Sequence, residues 1–201
     1  PDNMSNDCEQ LANLEGIALT VFDKPIENAQ ITLSSSILTQ STLTDENGLY
    51  GFDGVPLGHD YTITPLKDDD HPNGVTTQDV IIIRRHVQGV QLIATPYHRV
   101  AADADNSQTI NMSDVQGVRD LILGDIPAYN NNTSWRFVDR SYQFPVSENP
   151  WFEAFPESIS LDNLSGCMED LDFTGIKIGD VNNTVVPSLH DGGAVDTRQG
   201  S

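Results

Sequence analysis

Basic residues are scarce: 10 Lys and Arg stand against 30 Asp and Glu in 201 residues, a formal net charge of -20. Binding nucleic acid through its phosphates needs Lys and Arg in number, so that class of function is excluded. Long apolar runs are missing as well. None approaches the ~20 residues of a membrane-spanning helix, and no basic, apolar leader opens the chain, so a soluble, mature chain is expected. Hydrophobic residues make up 37%, below the roughly 45% of ordinary globular proteins, which predicts long loops. Only two cysteines occur, Cys8 and Cys167. They suit either one disulfide tying the two ends together in an oxidising compartment or two unrelated buried thiols.

Signatures of catalysis are missing too. His59, His71, His86, His98 and His190 form no HxH or HExxH pattern, no glycine-rich phosphate loop is present, and neither cysteine has the surroundings of a nucleophile. A non-catalytic chain is expected. The surplus of Asp, accompanied by Asn, Thr and Ser, fits an extracellular or cell-surface protein that binds cations.

What is present begins with period-two alternation between Leu14 and Leu66: Ile17, Leu19 and Val21; Ala29, Ile31 and Leu33; Tyr50 and Phe52; Tyr61 and Ile63. Alternation predicts half-buried strands, and the turn signals between them (Asp23-Lys24-Pro25, Asp45-Glu46-Asn47-Gly48, Pro56-Leu57-Gly58) predict a small β-sandwich. The segments Ala29 to Leu33, Thr44 to Phe52 and Val55 to Tyr61 resemble the carboxypeptidase regulatory-like domain, an Ig/prealbumin-like sandwich shared with the B-type repeats of bacterial adhesins. The resemblance implies a spacer, stalk or interaction module. Some adhesin relatives carry a Lys–Asn amide crosslink; Lys24 and Lys67 sit in turn-like contexts, so none is expected.

The middle of the chain repeats itself. Residues 74–89 align with 109–124 at a constant offset of 35 residues, matching Asp79 with Asp114, Val80 with Val115, Ile83 with Val118, Arg84 with Arg119 and Gly89 with Gly124. The same offset matches Asp68 with Asp103 and Asp70 with Asp105. Each unit is therefore an acidic loop followed by a helix, predicted at 77–87 and 113–123.

In the second copy, Asp103, Asp105, Ser107, the Thr109 carbonyl and Asp114 fall at loop positions one, three, five, seven and twelve. Ca²⁺ is a hard ion that takes six to eight oxygens, and a twelve-residue loop with donors at these positions wraps it. The bland alternative is an Asx-rich turn capping a helix. Gln108 stands at position six, where a Gly would relieve a positive φ. The first copy offers Asp68, Asp70, the Gly74 carbonyl and Asp79, with Pro72 in place of the position-five oxygen. It is either a second calcium site completed by carbonyls or waters, or a turn that has lost its ion.

Two loop-helix units without entering helices resemble the type I dockerin domain. The resemblance implies two calcium ions and, in cellulosomes, a cohesin partner. Recognition would fall on Thr77, Gln78, Arg84 and Arg85 in one copy and on Met112, Ser113, Arg119 and Asp120 in the other; the paired Ser-Thr typical of cellulosomal members is absent from both.

The last third is loop-rich, with aromatic residues at Trp135, Phe137, Trp151, Phe152 and Phe155. These read as buried anchors or, alternatively, as a carbohydrate-binding platform. The run Gly175-Ile176-Lys177-Ile178-Gly179-Asp180-Val181-Asn182, taken with the segments around Trp135 and Trp151, resembles the carboxy-terminal portion of large secreted proteins exported by the type IX system. Asp180 and Asn182 open like a calcium loop; they either add ligands to a neighbouring site or cap a turn. The expected organisation is an N-terminal arm (1–13), a β-sandwich (14–66), a dockerin-like calcium module with its closing segment (67–184) and a tail (185–201). The expected role is a calcium-stabilised structural or adhesive module, a surface-protein segment or filament subunit that meets copies of itself or neighbouring domains. The alternatives are docking to a cohesin-like partner and carbohydrate binding.

Overall fold

The structure, a computed structural model, describes residues 11–188. Cys8, most of the N-terminal arm, His190 and most of the tail lie outside the described residues. The elements in chain order are β1 (Leu11–Thr20), β2 (Gln30–Ser34), β3 (Thr39–Leu43), β4 (Leu49–Pro56), β5 (Tyr61–Leu66), α1 (Thr77–Val87), α2 (Pro96–Ala102), α3 (Met112–Leu123), β6 (Trp135–Asp139), β7 (Ile159–Leu161) and β8 (Phe173–Lys177). The strands form two four-stranded sheets, ordered β4-β1-β8-β6 and β3-β2-β5-β7. All pairings are antiparallel except β1 with β8. Among the described residues no helix is long and apolar enough to cross a membrane.

Ala29, Ile31, Leu33, Tyr50, Phe52, Tyr61 and Ile63 face one core between the sheets, as their alternation predicts. In β1 the period holds but the phase is reversed. Leu14, Gly16 and Ala18 turn inward, while Ile17, Leu19 and Val21 are half-buried. Small residues are needed on that inner face because neighbouring backbone comes close: a Cβ on Gly16 would lie 2.2 Å from the Leu171 carbonyl oxygen.

The sandwich is not closed by residues 14–66. Strands β6, β7 and β8, from the loop-rich last third, complete both sheets, so the helical stretch is an insertion between β5 and β6 rather than a module that follows a finished sandwich. Strand β8 shows no exposed face because it is covered on both. Phe173 belongs to the core between the sheets, and Ile176, with Ile178 just beyond the strand, belongs to a second core with α1, α2 and α3. β6 is shared in the same way, Phe137 facing the sandwich and Val138 the helices. The molecule therefore has three layers: sheet, sheet, helices.

Both repeat helices appear where the offset puts them, with Ile83 and Val118 fully buried between them. Gly124 caps α3 with φ 75° and Gly89 follows α1 with φ 67°. The short α2 announces itself only by Thr95-Pro96, whose threonine side chain accepts from the His98 amide.

Truncating Ile176 to Ala should cost about 2–4 kcal/mol, because it opens a cavity where β8 meets the helices. Equilibrium denaturation checks this. A change below about 0.5 kcal/mol would contradict the shared-strand layout.

Candidate metal centre

The two repeat helices start with the same device. Thr76 and Asn111 are their N-caps, and Asp79 and Asp114, three residues on, reach back to the cap amides: Thr76 N donates to Asp79 Oδ2 and Asn111 N to Asp114 Oδ2, each at 2.8 Å. Each carboxylate thus meets the positive end of a helix dipole while it caps the helix. Both are fully buried.

In the second loop, Asp114 Oδ1 also accepts from Ala104 N at 2.9 Å, folding the loop back on its helix. Asp103 accepts from Ser107 N at 2.9 Å and from Gln108 N at 2.8 Å. These bonds curl the chain so that alternate side chains converge. Asp103, Asp105 and Asp114 present oxygens within 4.8 Å of one another, the one such group of three acidic, His or Cys side chains among the described residues. Ser107 Oγ lies 3.5 Å from Asp103 Oδ1 and donates to the Thr109 carbonyl at 3.2 Å. Three of the five oxygen donors that the spacing predicts, Asp103, Asp105 and Asp114, are brought together, and Ser107 links Asp103 to the Thr109 carbonyl beside them. Gln108 has φ 63° and Asn106 φ 56°, so the loop does demand left-handed backbone at position six.

This arrangement suits a hard cation. Burial lifts the Asp114 carboxyl from the ordinary 3.8 to about 6; the charges of Asp105 and Asp103 push the same way, and the amides of Asn111 and Asp105 oppose it. Burial likewise raises Asp103. The donors are all oxygen, and Asn132 Oδ1 is buried without a partner beside them, its Nδ2 donating to the Asp103 carbonyl at 2.9 Å. The loop is also fastened from outside. Arg136 on β6 donates to Asn106 Oδ1 at 2.6 Å, grips Glu157 with Nε and Nη2, and lies over the Phe155 ring. Asn132 and Arg136 carry no motif of their own, and their place in the site is a product of the fold.

The first loop is built differently. Asp68 Oδ1 accepts from Ser134 N at 2.8 Å and lies 3.1 Å from His71 Nε2, whose pKa burial lowers. The Asp70 carbonyl accepts from Lys177 Nζ at 2.9 Å, and the Gly74 carbonyl from Thr184 Oγ1 at 2.8 Å. Asp79 Oδ1 accepts from Val181 N at 2.9 Å. Asp68, Asp70 and Asp79 form no group comparable with that of the second loop. Asp180 caps a turn, accepting from Thr184 N at 3.1 Å and Val185 N at 2.8 Å, and Asn182 donates its backbone amide to the same carboxylate. Lys177 is 4% exposed on average over its residue surface. Burial pushes its pKa down to about 8, against the pull of Asp70, Asp69 and Asp180. Its signal in the sequence is a lysine between Ile176 and Ile178.

Thr77, Gln78, Arg84, Arg85, Met112, Ser113 and Arg119 are exposed and Asp120 half-buried, on the outer faces of α1 and α3. His86, which belongs to no catalytic pattern, accepts from Ile93 N at 3.0 Å and holds the turn after α1. Trp135 is 3% exposed and offers no sugar platform; Trp151 is half-buried. Cys167 is in a disulfide, and the Cys8 half of the expected bridge lies outside the described residues.

Two outcomes follow from the loop geometry. Gln108→Gly should stabilise the protein by about 0.5–1 kcal/mol, since glycine bears positive φ without strain; thermal melts decide, and a loss would contradict the left-handed assignment. A carboxyl whose folded pKa is raised contributes stability below its unfolded value and loses it as pH climbs through the folded one. Metal-free protein should therefore melt lower at pH 7 than at pH 4.5, with the decline set between about 4 and 6 for Asp114.

No family model matches the chain, and no curated protein matches it. Solved structures resemble part of it. The Bacillus anthracis TIE protein is similar over 29% of this chain and 11% of its own (19% identity, TM-score 0.28). BcpA, the major pilin subunit of Bacillus cereus, is similar over 29% and 19% (19% identity, TM-score 0.27). A C-terminal fragment of the pilus adhesin SpaC from Lactobacillus rhamnosus GG is similar over 31% and 27% (16% identity, TM-score 0.26). The similarity thus spans between 11% and 27% of the length of these structures.

Proposed function

We propose that the protein is a calcium-stabilised, non-catalytic structural module of the extracellular or cell-surface kind, a stalk segment or filament subunit. The observation that carries this reading is the convergence of Asp103, Asp105 and Asp114, with Ser107 and the Thr109 carbonyl hydrogen-bonded beside them, at the start of α3. When bound, Ca²⁺ supplies charge neutralisation and fixed oxygen geometry. The residues do the rest: Asp114 joins ion to helix, Asn132 and Arg136 join loop to sheet. Because the ion binds only the folded loop, its binding free energy adds to folding free energy.

The buried carboxylates support a structural role over a catalytic one. Asp79, Asp103, Asp114 and Asp180 all accept backbone amides and shape turns and caps. Partners would be other copies of the chain or adjoining domains, for which β3 and β4 stand at the ends of their sheets. A second reading, docking of a cohesin-like protein, draws on the exposure of Thr77, Gln78, Arg84, Met112, Ser113 and Arg119.

Calcium at about 100 times its Kd should add about 2.7 kcal/mol of stability, a rise of several degrees in melting temperature, reversed by chelator. Magnesium, which demands near-ideal octahedral geometry, should do far less. Asp105→Asn is the cleanest variant, since Asp105 does not cap the helix. It should weaken calcium binding at least about tenfold while leaving the chelated protein at least as stable as the parent, since it removes one of three neighbouring like charges. A parent melting curve indifferent to calcium and chelator would overturn the proposal.

A further inference from the structure

The duplicated loops invite the expectation of two ions, one per copy. The first loop does not fit one. Superposing the copies at the offset of 35 residues shows which parts have been replaced. In the second copy the inner oxygen of the helix-start carboxylate takes an amide of its own loop, Ala104 N to Asp114 Oδ1 at 2.9 Å. In the first copy the equivalent oxygen, Asp79 Oδ1, takes Val181 N at 2.9 Å, from the turn after β8. The position-seven carbonyl accepts a hydroxyl in both copies, but in the second from its own loop, Ser107 Oγ at 3.2 Å, and in the first from the turn after β8, Thr184 Oγ1 at 2.8 Å. Gly74 itself, at φ 78°, is pressed against Val185; a Cβ there would lie 2.5 Å from Val185 Cα. Asp68 is drawn away to Ser134 N and His71.

A cation is nevertheless present. Lys177 runs out of β8 with its ammonium on the Asp70 carbonyl at 2.9 Å and 5.7 Å from the centre of the Trp135 ring. Its side chain is buried; Asp70, Asp69 and Asp180 pull on its charge from beyond ion-pair distance, while Lys67, itself paired with Asp69 at 3.1 Å, pushes against it. Ammonium and divalent ion answer the same need, and an ammonium carried by the chain needs no free ion.

We propose that the first loop is neutralised from within, by Lys177 and the turn at 180–185, so that the chain holds one calcium ion, in the second loop. The second half of this statement rests on the calcium reading of that loop. The first half is independent of it.

Native mass spectrometry of the full chain in millimolar calcium, with calorimetric titration for stoichiometry, tests it. The parent should carry one ion, and the double variant Asp103→Asn, Asp105→Asn none. Two ions on the parent, or one surviving in the double variant, would overturn the internal neutralisation and leave the calcium reading standing. No ion on the parent would overturn the calcium reading, and the Lys177→Met variant then decides the first loop. That variant should melt roughly 5–10 °C lower, by the same amount in calcium and in chelator. An unchanged melting temperature, or a deficit that calcium repairs, would overturn the proposal. Should Lys177→Met not fold, Thr184→Val supplies the second measurement. It removes the cap on the Gly74 carbonyl, and it should leave the count at one ion; a count of two would overturn the proposal.

Discussion

The helical layer is built around carboxylates that stand where water is scarce. Asp79, Asp103, Asp114 and Asp180 are all buried in a chain whose net charge is -20. An ionised carboxylate taken out of water is costly unless hydrogen bonds and opposite charge compensate it. Backbone amides at the two helix starts and at the turn after β8 supply the hydrogen bonds. They cannot cancel the charge of three carboxylates whose oxygens lie within 4.8 Å. That remainder distinguishes the second loop from an ordinary capped turn and is the charge that the proposed calcium ion would neutralise.

Strand β8 carries this constraint into the rest of the molecule. One face of it completes the sandwich, through Phe173, and the other supports the helices, through Ile176. At its end, Lys177 reaches the first loop, and the turn that follows grips Asp79 and Gly74. Neighbouring β6 holds the second loop through Arg136. Loosening either loop therefore frees a helix start whose seam residue, Ile83 or Val118, is fully buried, and the loss is felt by a strand that the sandwich also needs. Cooperativity between the layers follows from this sharing and requires no further contact.

The same sharing explains what the sequence makes legible. Helices α1 and α3 can be read because a cap, an acidic third residue, an apolar stripe and a terminal glycine agree, twice, at one spacing. Strands β2, β4 and β5 can be read because each has one buried face and one wet one. Strand β8 can be read as a strand from the alternation of 172–178, but not its burial on both faces, which covers all five of its residues. The polar edge strand β3 has no apolar face to announce it. The phase of β1 misleads for a steric reason: the larger residues Ile17 and Leu19 mark the outer face, and the inner one admits only Gly16 and Ala18 beside Leu14. Within the site, the five oxygen donors of the second loop follow from local spacing. Asn132, Arg136 and Lys177 depend on which distant strands lie alongside, and local spacing carries no such information.

Duplication with divergent neutralisation has a physical consequence of its own. Two metal loops would make the whole helical layer depend on the ion, and metal-free chains of this charge would tend to lose both helix starts together. A lysine at one loop keeps α1, the turn after β8 and the outer face of the sheet in place whatever the ion concentration, since its charge is covalently attached and partly shielded by Trp135. Ion binding, as proposed, would then act on α3 and the chain that fastens its loop, Asn132 and the Arg136–Glu157 pair. Calcium on this view tightens one end of an already assembled layer. Under the proposal, metal-dependent stability would be an increment on a folded scaffold, unlike the all-or-none folding of small domains whose core consists of little besides the metal.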